Sequence, residues 1–394
     1  MRRQLAHLPL HTGAAPAYLF GRMWRLAGAI TMAVVDEYGP SEMLRRLADP
    51  WWFQAFGCVL GFDWHSSGVT TVTCGAMKEA YKRFGNDLGI HVAGGKGGTS
   101  RKTPGEIVAV ADRLALSAGD QLVHASKMSA KVDSAAVQDG YQLYHHAFFF
   151  TSAGNWCVVQ QGMSDAEKSA RRYHWLGDAV EDFVCEPHFA IDDLAAGKRD
   201  SGPPQPGEQL LLNMVAHEAG ENRSSSVDLV GWHPDKFMFE LRRLTAGPTL
   251  FAPAHHEVLP QDVNVDRLEK IVRNAHEENP KDFETLLGAK GVGPATVRAL
   301  SLMAELIYDA PASHRDPASA PVTGTAKLPP VLQHRRWADY SYAHGGKDGT
   351  PHPVDRPTYD TSIAVLTDAV RKARVGETDK SEALKRLATF GRAR

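Results

Sequence analysis

Cysteine is scarce and scattered. The chain has four in 394 residues, Cys58, Cys74, Cys157 and Cys185, none in a CxxC pair. That spacing argues against a zinc ribbon and offers no disulfide framework; thiols used so sparingly fit a reducing compartment. Long apolar runs are missing too. The N-terminal MRRQLAHLPLHTGAAPAYLF has no signal-peptide core, and LAGAITMAVV, ten residues ending before Asp36, is too short to span a bilayer. These absences lead us to expect a cytoplasmic protein with no membrane partner. Charge of one sign is also lacking: 44 Lys and Arg stand against 46 Asp and Glu, a net −2. No global basic field marks a nucleic-acid binder, so any such binding must come from local patches.

What is present reads as a globular chain long enough for two or three domains. Apolar spacing predicts two helices over residues 16–48 and others over 75–89 and 104–118. Between the last two, IHVAGGKGGTSRKTP reads as a polar loop. YQLYHHAFFF and NWCVVQQGM, separated by TSAG, form the strongest strand signal and predict a hairpin. GKRDSGPPQPGEQ, residues 197–209, is a linker by composition. Beyond it the pattern is helical over 207–230, 234–245, 263–277, 281–288 and 294–308, then from near Thr358 to Lys372. The basic tail reads as partly mobile. The expected fold is α+β. An N-terminal α/β domain with a small antiparallel sheet covers residues 1–198. An all-α domain follows over 206–394, with a helix-hairpin-helix at 281–308 and a long loop at 311–358.

The segment LLGAKGVGPATVRAL, residues 286–300, carries the sharpest local pattern. Gly291 and Gly293 can reach backbone angles closed to other residues, and the N–H groups beyond them would open a helix, a ready anion site. Phe283, Leu286 and Leu287 would pack against Val297, Leu300 and Leu302. Val292 would plug the turn, with Lys290 and Arg298 flanking it. The segment resembles the helix-hairpin-helix motif of DNA repair proteins, a resemblance that implies sequence-independent contact with the DNA backbone. In the base-excision glycosylases of that superfamily a catalytic Asp follows in a Pro/Gly-rich loop, and Asp355 in HPVDRPTYD is similar in context. Ala295 stands where lyase-type members carry Lys, so a glycosylase here would be monofunctional.

Polar clusters upstream offer other chemistry. GFDWHSSGVTT gathers Asp63, His65, Ser66 and Ser67, either as a nucleophile with its base or as caps of a buried turn. In AGGKGGTSRKTP, Lys96, Ser100, Arg101 and Lys102 join exposed glycine N–H groups, which suits a phosphate. Lys127, Lys131, Asp133, Asp139, His146 and Gln160 surround the predicted hairpin. Two carboxylates near paired strands suit a Mg²⁺ or Mn²⁺ site that activates water, with Asp133 and Asp139 as ligands and His146 or Gln160 completing the shell. Strand alternation puts His145 and His146 on opposite faces. Arg171 and Arg172 in SARRYHW form a basic, aromatic cluster suited to a nucleic-acid strand.

Over nearly its full length the chain resembles a bacterial and archaeal family catalogued only as a domain of unknown function. LPLHTGAAPAYLF, FQAFGCVLGFDWHSSGVTT, DGYQLYHHAFFF and YAHGGKDGTPHPVDRPTYD carry that resemblance, which implies no activity. The leading expectation is a DNA-binding, DNA-processing repair enzyme, a metal-dependent nuclease that uses no nucleotide cofactor. The alternatives are a monofunctional glycosylase using Asp355, a non-enzymatic DNA-binding protein and an RNA-modifying enzyme.

Overall fold

The structure, a computed structural model, describes residues 17–61, 67–165, 168–192, 211–245, 265–319, 356–373 and 375–392. Four helices lead: α1 (Ala17–Tyr38), α2 (Pro40–Ala48), α3 (Pro50–Leu60) and α4 (Gly68–Leu88). Met23, Leu26, Ala27, Ile30 and Val34 recur at helical spacing and form the buried stripe of α1. Pro40 takes the first turn of α2, where its missing N–H is no loss. Next come strand β1 (Ile90–Lys96), α5 (Thr103–Leu114) and α6 (Gly119–Lys131). Helix α6 runs on into a π-helical turn, Val132–Ala136. Then follow the short β2 (Val137–Gln138), β3 (Gln142–Thr151), β4 (Trp156–Ser164), β5 (Ser169–Leu176) and β6 (Ala190–Asp192).

Strands β1, β3, β4, β5 and β6 lie in that order in one sheet, antiparallel throughout. The α+β class with a small antiparallel sheet therefore holds. The polar loop expected before α5 is a strand as far as Lys96 and a 3-10 turn from Gly97 to Lys102. Gly94 makes this possible. Its φ is +89, and a Cβ there would meet His146 O at 2.2 Å, so a side chain would hold β1 away from β3.

After the undescribed residues 193–210, β7 (Leu212–Asn213) pairs with β2. Five helices follow: α7 (Gly220–Gly231), α8 (Pro234–Thr245), α9 (Val265–Glu278), α10 (Phe283–Gly288) and α11 (Pro294–Tyr308). Last are α12 (Arg356–Lys372) and α13 (Glu377–Arg392). The basic tail carries α13 as far as Arg392, with Ala383 and Leu387 buried.

The sheet buries apolar side chains on both faces. Ala147, Phe149, Cys157 and Val159 pack with α1–α4, and Leu366, Val370 and Leu387 of α12 and α13 join the same cluster. Phe148, Phe150, Val158, Tyr173 and Trp175 face the other way, against α5, α6 and the helices from α7 to α11. Burial on both sides explains why FFF runs unbroken through β3. The second cluster draws on both sides of the boundary expected at 198–206, with Met128 and Trp175 packed among residues such as Leu229, Phe237, Leu287 and Leu300.

Candidate functional site

One directed chain of hydrogen bonds collects three of the residues singled out above. Gln160 Nε2 donates to Asp133 Oδ2 at 2.5 Å and to Ser129 O at 3.2 Å. Its Oε1 is left to accept from His146 Nδ1 at 2.8 Å. His146 Nε2 then accepts from the Ser126 hydroxyl at 2.9 Å. At the far end, Trp175 Nε1 donates to Asp133 Oδ2 at 2.9 Å and His188 Nε2 meets Oδ1 at 2.5 Å. Burial pushes the Asp133 carboxyl up, against the pull of His188 and Trp175. Burial likewise takes His146 down to about 4, so it is neutral near pH 7.

Asp139 belongs to a second buried group. It accepts from Tyr141 N at 3.1 Å, from Arg171 Nη1 at 2.6 Å and from the Tyr173 hydroxyl at 2.7 Å. Arg171 reaches on to Asp316 Oδ2 at 2.8 Å. Burial opposes the Arg171 charge, yet Asp316 and Asp139 outweigh it and hold the guanidinium well above its ordinary value. Arg172 is also fully buried and donates to Gln54 Oε1 at 2.9 Å. Two expectations are corrected here. Arg171 and Arg172 offer no surface to a nucleic-acid strand, because β5 is covered on both faces. The Mg²⁺ or Mn²⁺ centre does not fit Asp133 and Asp139, whose oxygens are taken by donors and one of which is paired with an arginine. Among the described residues, no group of three or more His, Cys, Asp or Glu could hold a metal ion.

The other histidine of the pair is solitary. His145 faces the opposite way from His146, opposite Lys96 on one side and Gln161 on the other. Among the described residues, neither of its buried ring nitrogens has a hydrogen-bond partner. Burial, aided by His146 and Lys96, takes it down to about 3. Lys96, Arg101 and Lys102 are exposed and Ser100 half-buried, on a turn packed against β1, β3 and α5. Ser100 Oγ is spent on Gly97 O at 2.6 Å.

The Gly-Val-Gly segment lies elsewhere, between α10 and α11. Asp282 caps α10, accepting from Thr285 N at 2.7 Å. Val292 N closes a turn on Ala289 O at 3.3 Å, with Gly291 at φ +90. That positive angle is the type II signature at the third turn position. Val292 is buried, while Lys290, Gly291, Pro294 and Ala295 are exposed. Gly293 is different in kind. Its φ of −150 is extended backbone, and a Cβ there would meet nothing closer than Gly291 O at 3.9 Å. It is the N-cap of α11 and no side chain caps that end. Beneath the turn, Lys131 Nζ donates to Val292 O. Gln138 Nε2 donates to Pro294 O at 3.0 Å, and its Oε1 accepts from Arg298 Nη2 at 2.7 Å. Arg298, expected to face a phosphate, is thus tied to Gln138. Lys127 is exposed one turn before Lys131 on α6.

Lys127, Lys131, Lys290, Gly291 and Gly293 therefore come together; Lys96, Ser100, Arg101 and Lys102 form a separate patch. Asp355, Asp63, His65 and Ser66 lie outside the described residues. Sequence reasoning missed Ser126, His188 and Asp316, which reach their partners across 20, 55 and 145 residues of chain. No local pattern could have announced them.

A helix-flanked antiparallel sheet with a Gly-Val-Gly turn between its later helices defines a mixed α+β protein. The family model described as protein of unknown function (DUF763) matches residues 4–354, and the chain belongs to that family. No curated protein and no solved structure matches it.

Proposed function

We propose that this protein binds the DNA backbone, without regard to base sequence, through the turn at residues 289–295 and the lysines around it. Gly293 carries the reading. Its φ of −150 does not demand glycine, and a Cβ there would make only an ordinary contact with Gly291 O at 3.9 Å; the absence of a side chain lets a phosphate approach the backbone. Pro294, which has no N–H, opens a 15-residue helix with no side-chain cap among the described residues, so the anion would be met by the first-turn N–H of Ala295. Lys290 and Lys127 supply exposed charge, and Lys131 holds the turn from below. The resemblance of residues 286–300 to helix-hairpin-helix motifs supports the same reading.

Fluorescence anisotropy with labelled DNA of unrelated sequences tests it. We expect comparable affinities for all sequences and a steep loss with salt. Lys290→Glu and Lys127→Glu should each lower the log–log salt slope by about 0.7–0.9. Strong preference for one sequence, or a slope unmoved by both changes, would contradict the proposal. The same samples with Mg²⁺ or Mn²⁺ report cutting. Cutting abolished by Asp133→Asn in a folded protein would overturn our reading of that carboxylate as structural.

A further inference from the structure

Helix α6 carries an exposed stripe that leads away from the turn. Asp120, Gln121, His124 and Lys127 are exposed at the spacing of one helix face, which ends at the half-buried Lys131. At one end Lys131 donates to Val292 O. Seven residues back, about 10 Å along the axis, His124 stands at the rim of a cleft of about 470 Å³. His124 Nε2 also meets Glu284 Oε1 of α10 at 2.7 Å, so the rim is joined to the helix that precedes the turn.

The cleft is built for a flat, uncharged ring. Phe183 and Trp156 line it with rings 6.0 Å apart and 6° from parallel, and Trp156 stacks in turn on Phe148 at 5.6 Å. His124 closes edge-on against Phe183, 5.6 Å between centroids. Phe183 and Trp156 are half-buried, so each keeps part of its ring open to the cleft, although Trp175 also lies against Phe183 at 6.2 Å. No Lys or Arg is among the lining residues, so the cleft does not suit a phosphate. Asp120, Gln121 and His124 are exposed at the rim and offer acceptors and donors of the kind that read base edges. The lysines stop where the aromatic rings begin.

We infer that the cleft takes one unstacked nucleobase of a DNA strand whose backbone lies along Lys290 and Lys127; this rests on the backbone-binding proposal above. The test uses the full-length protein and three ligands: a single-stranded oligonucleotide, the same strand made abasic throughout, and the paired duplex. Wild type should bind the base-bearing strand between about five- and a hundred-fold more tightly than the abasic one, with the duplex also weaker. Gln121→Trp, an exposed change that fills the mouth, should bind normal and abasic strands equally. So should Phe183→Ala, once its thermal unfolding shows that it is folded. Equal binding of both strands by wild type overturns the inference while leaving the backbone proposal intact. A base preference that survives in both variants also overturns it, since the base is then read elsewhere. No binding by wild type to any DNA at low salt overturns both. Preference for an RNA strand over its DNA equivalent would reassign the strand to RNA and overturn the inference as stated.

Discussion

Two glycines, two residues apart, are asked to do different things. Gly291 serves the fold. Its φ is +90 and a Cβ would press on Ile271 Cγ1 at 3.1 Å, so Gly291→Ala should lower unfolding stability by about 1–2 kcal/mol in a urea titration. Gly293, with ordinary extended backbone and open space around it, should tolerate a side chain. Asp133 is a third residue-scale case. Asp133→Ala leaves Gln160, Trp175 and His188 donors buried without their acceptor, each worth about 1–3 kcal/mol. We expect a loss of several kcal/mol and no specific change in DNA affinity. The buried histidines set the acid limit. His146 and His145 titrate near 4 and 3 in the fold, below the ordinary 6.5. The unfolded chain therefore binds protons first as pH falls. Their contribution is intact above pH 6.5 and is lost progressively down toward those lower values. Between pH 6.5 and pH 5 each should take away about 1.6 kcal/mol. Stability unchanged over that interval would contradict their burial as neutral rings.

At the scale of elements, α6 organises the molecule. One side sends Ser126 and Ser129 into the Asp133 chain, its end holds the turn through Lys131, and its outer stripe reaches the aromatic cleft. Elements with a local signature were legible in the sequence. The β3–β4 hairpin announced itself through its aromatic and β-branched runs, and α10 and α11 through their apolar faces around Gly-Val-Gly. β1 was not legible, because AGGK lacks every strand former and pairs only through the close approach that Gly94 allows. Gly94→Ala should break that pairing and lower stability by at least about 3 kcal/mol, measurable as a fall in Tm. β5 was hidden for the opposite reason. SARRYHW puts buried arginines on both faces of a covered strand, so neither alternation nor polarity reveals that Arg171 and Arg172 point inward.

Over the whole molecule the sheet is the shared wall of two apolar clusters, and residues distant in sequence close both of them. Composition predicted a large core and an α+β fold, but could not show that α12 and α13 return to pack beside α1 and α3. Nor could a net charge of −2 show where positive charge gathers. Lys127 and Lys131 stand out in SKMSAKVD, yet only the packing of α6 on α10 brings them to the turn. The account's central claim is that this turn grips DNA through bare backbone at Gly293, and the most direct measurement is DNA binding by Gly293→Val beside its unfolding curve. We predict a stability loss of no more than about 1 kcal/mol, the cost of replacing a glycine N-cap, and DNA affinity reduced at least tenfold. A folded Gly293→Val protein that binds DNA as tightly as wild type would contradict the claim.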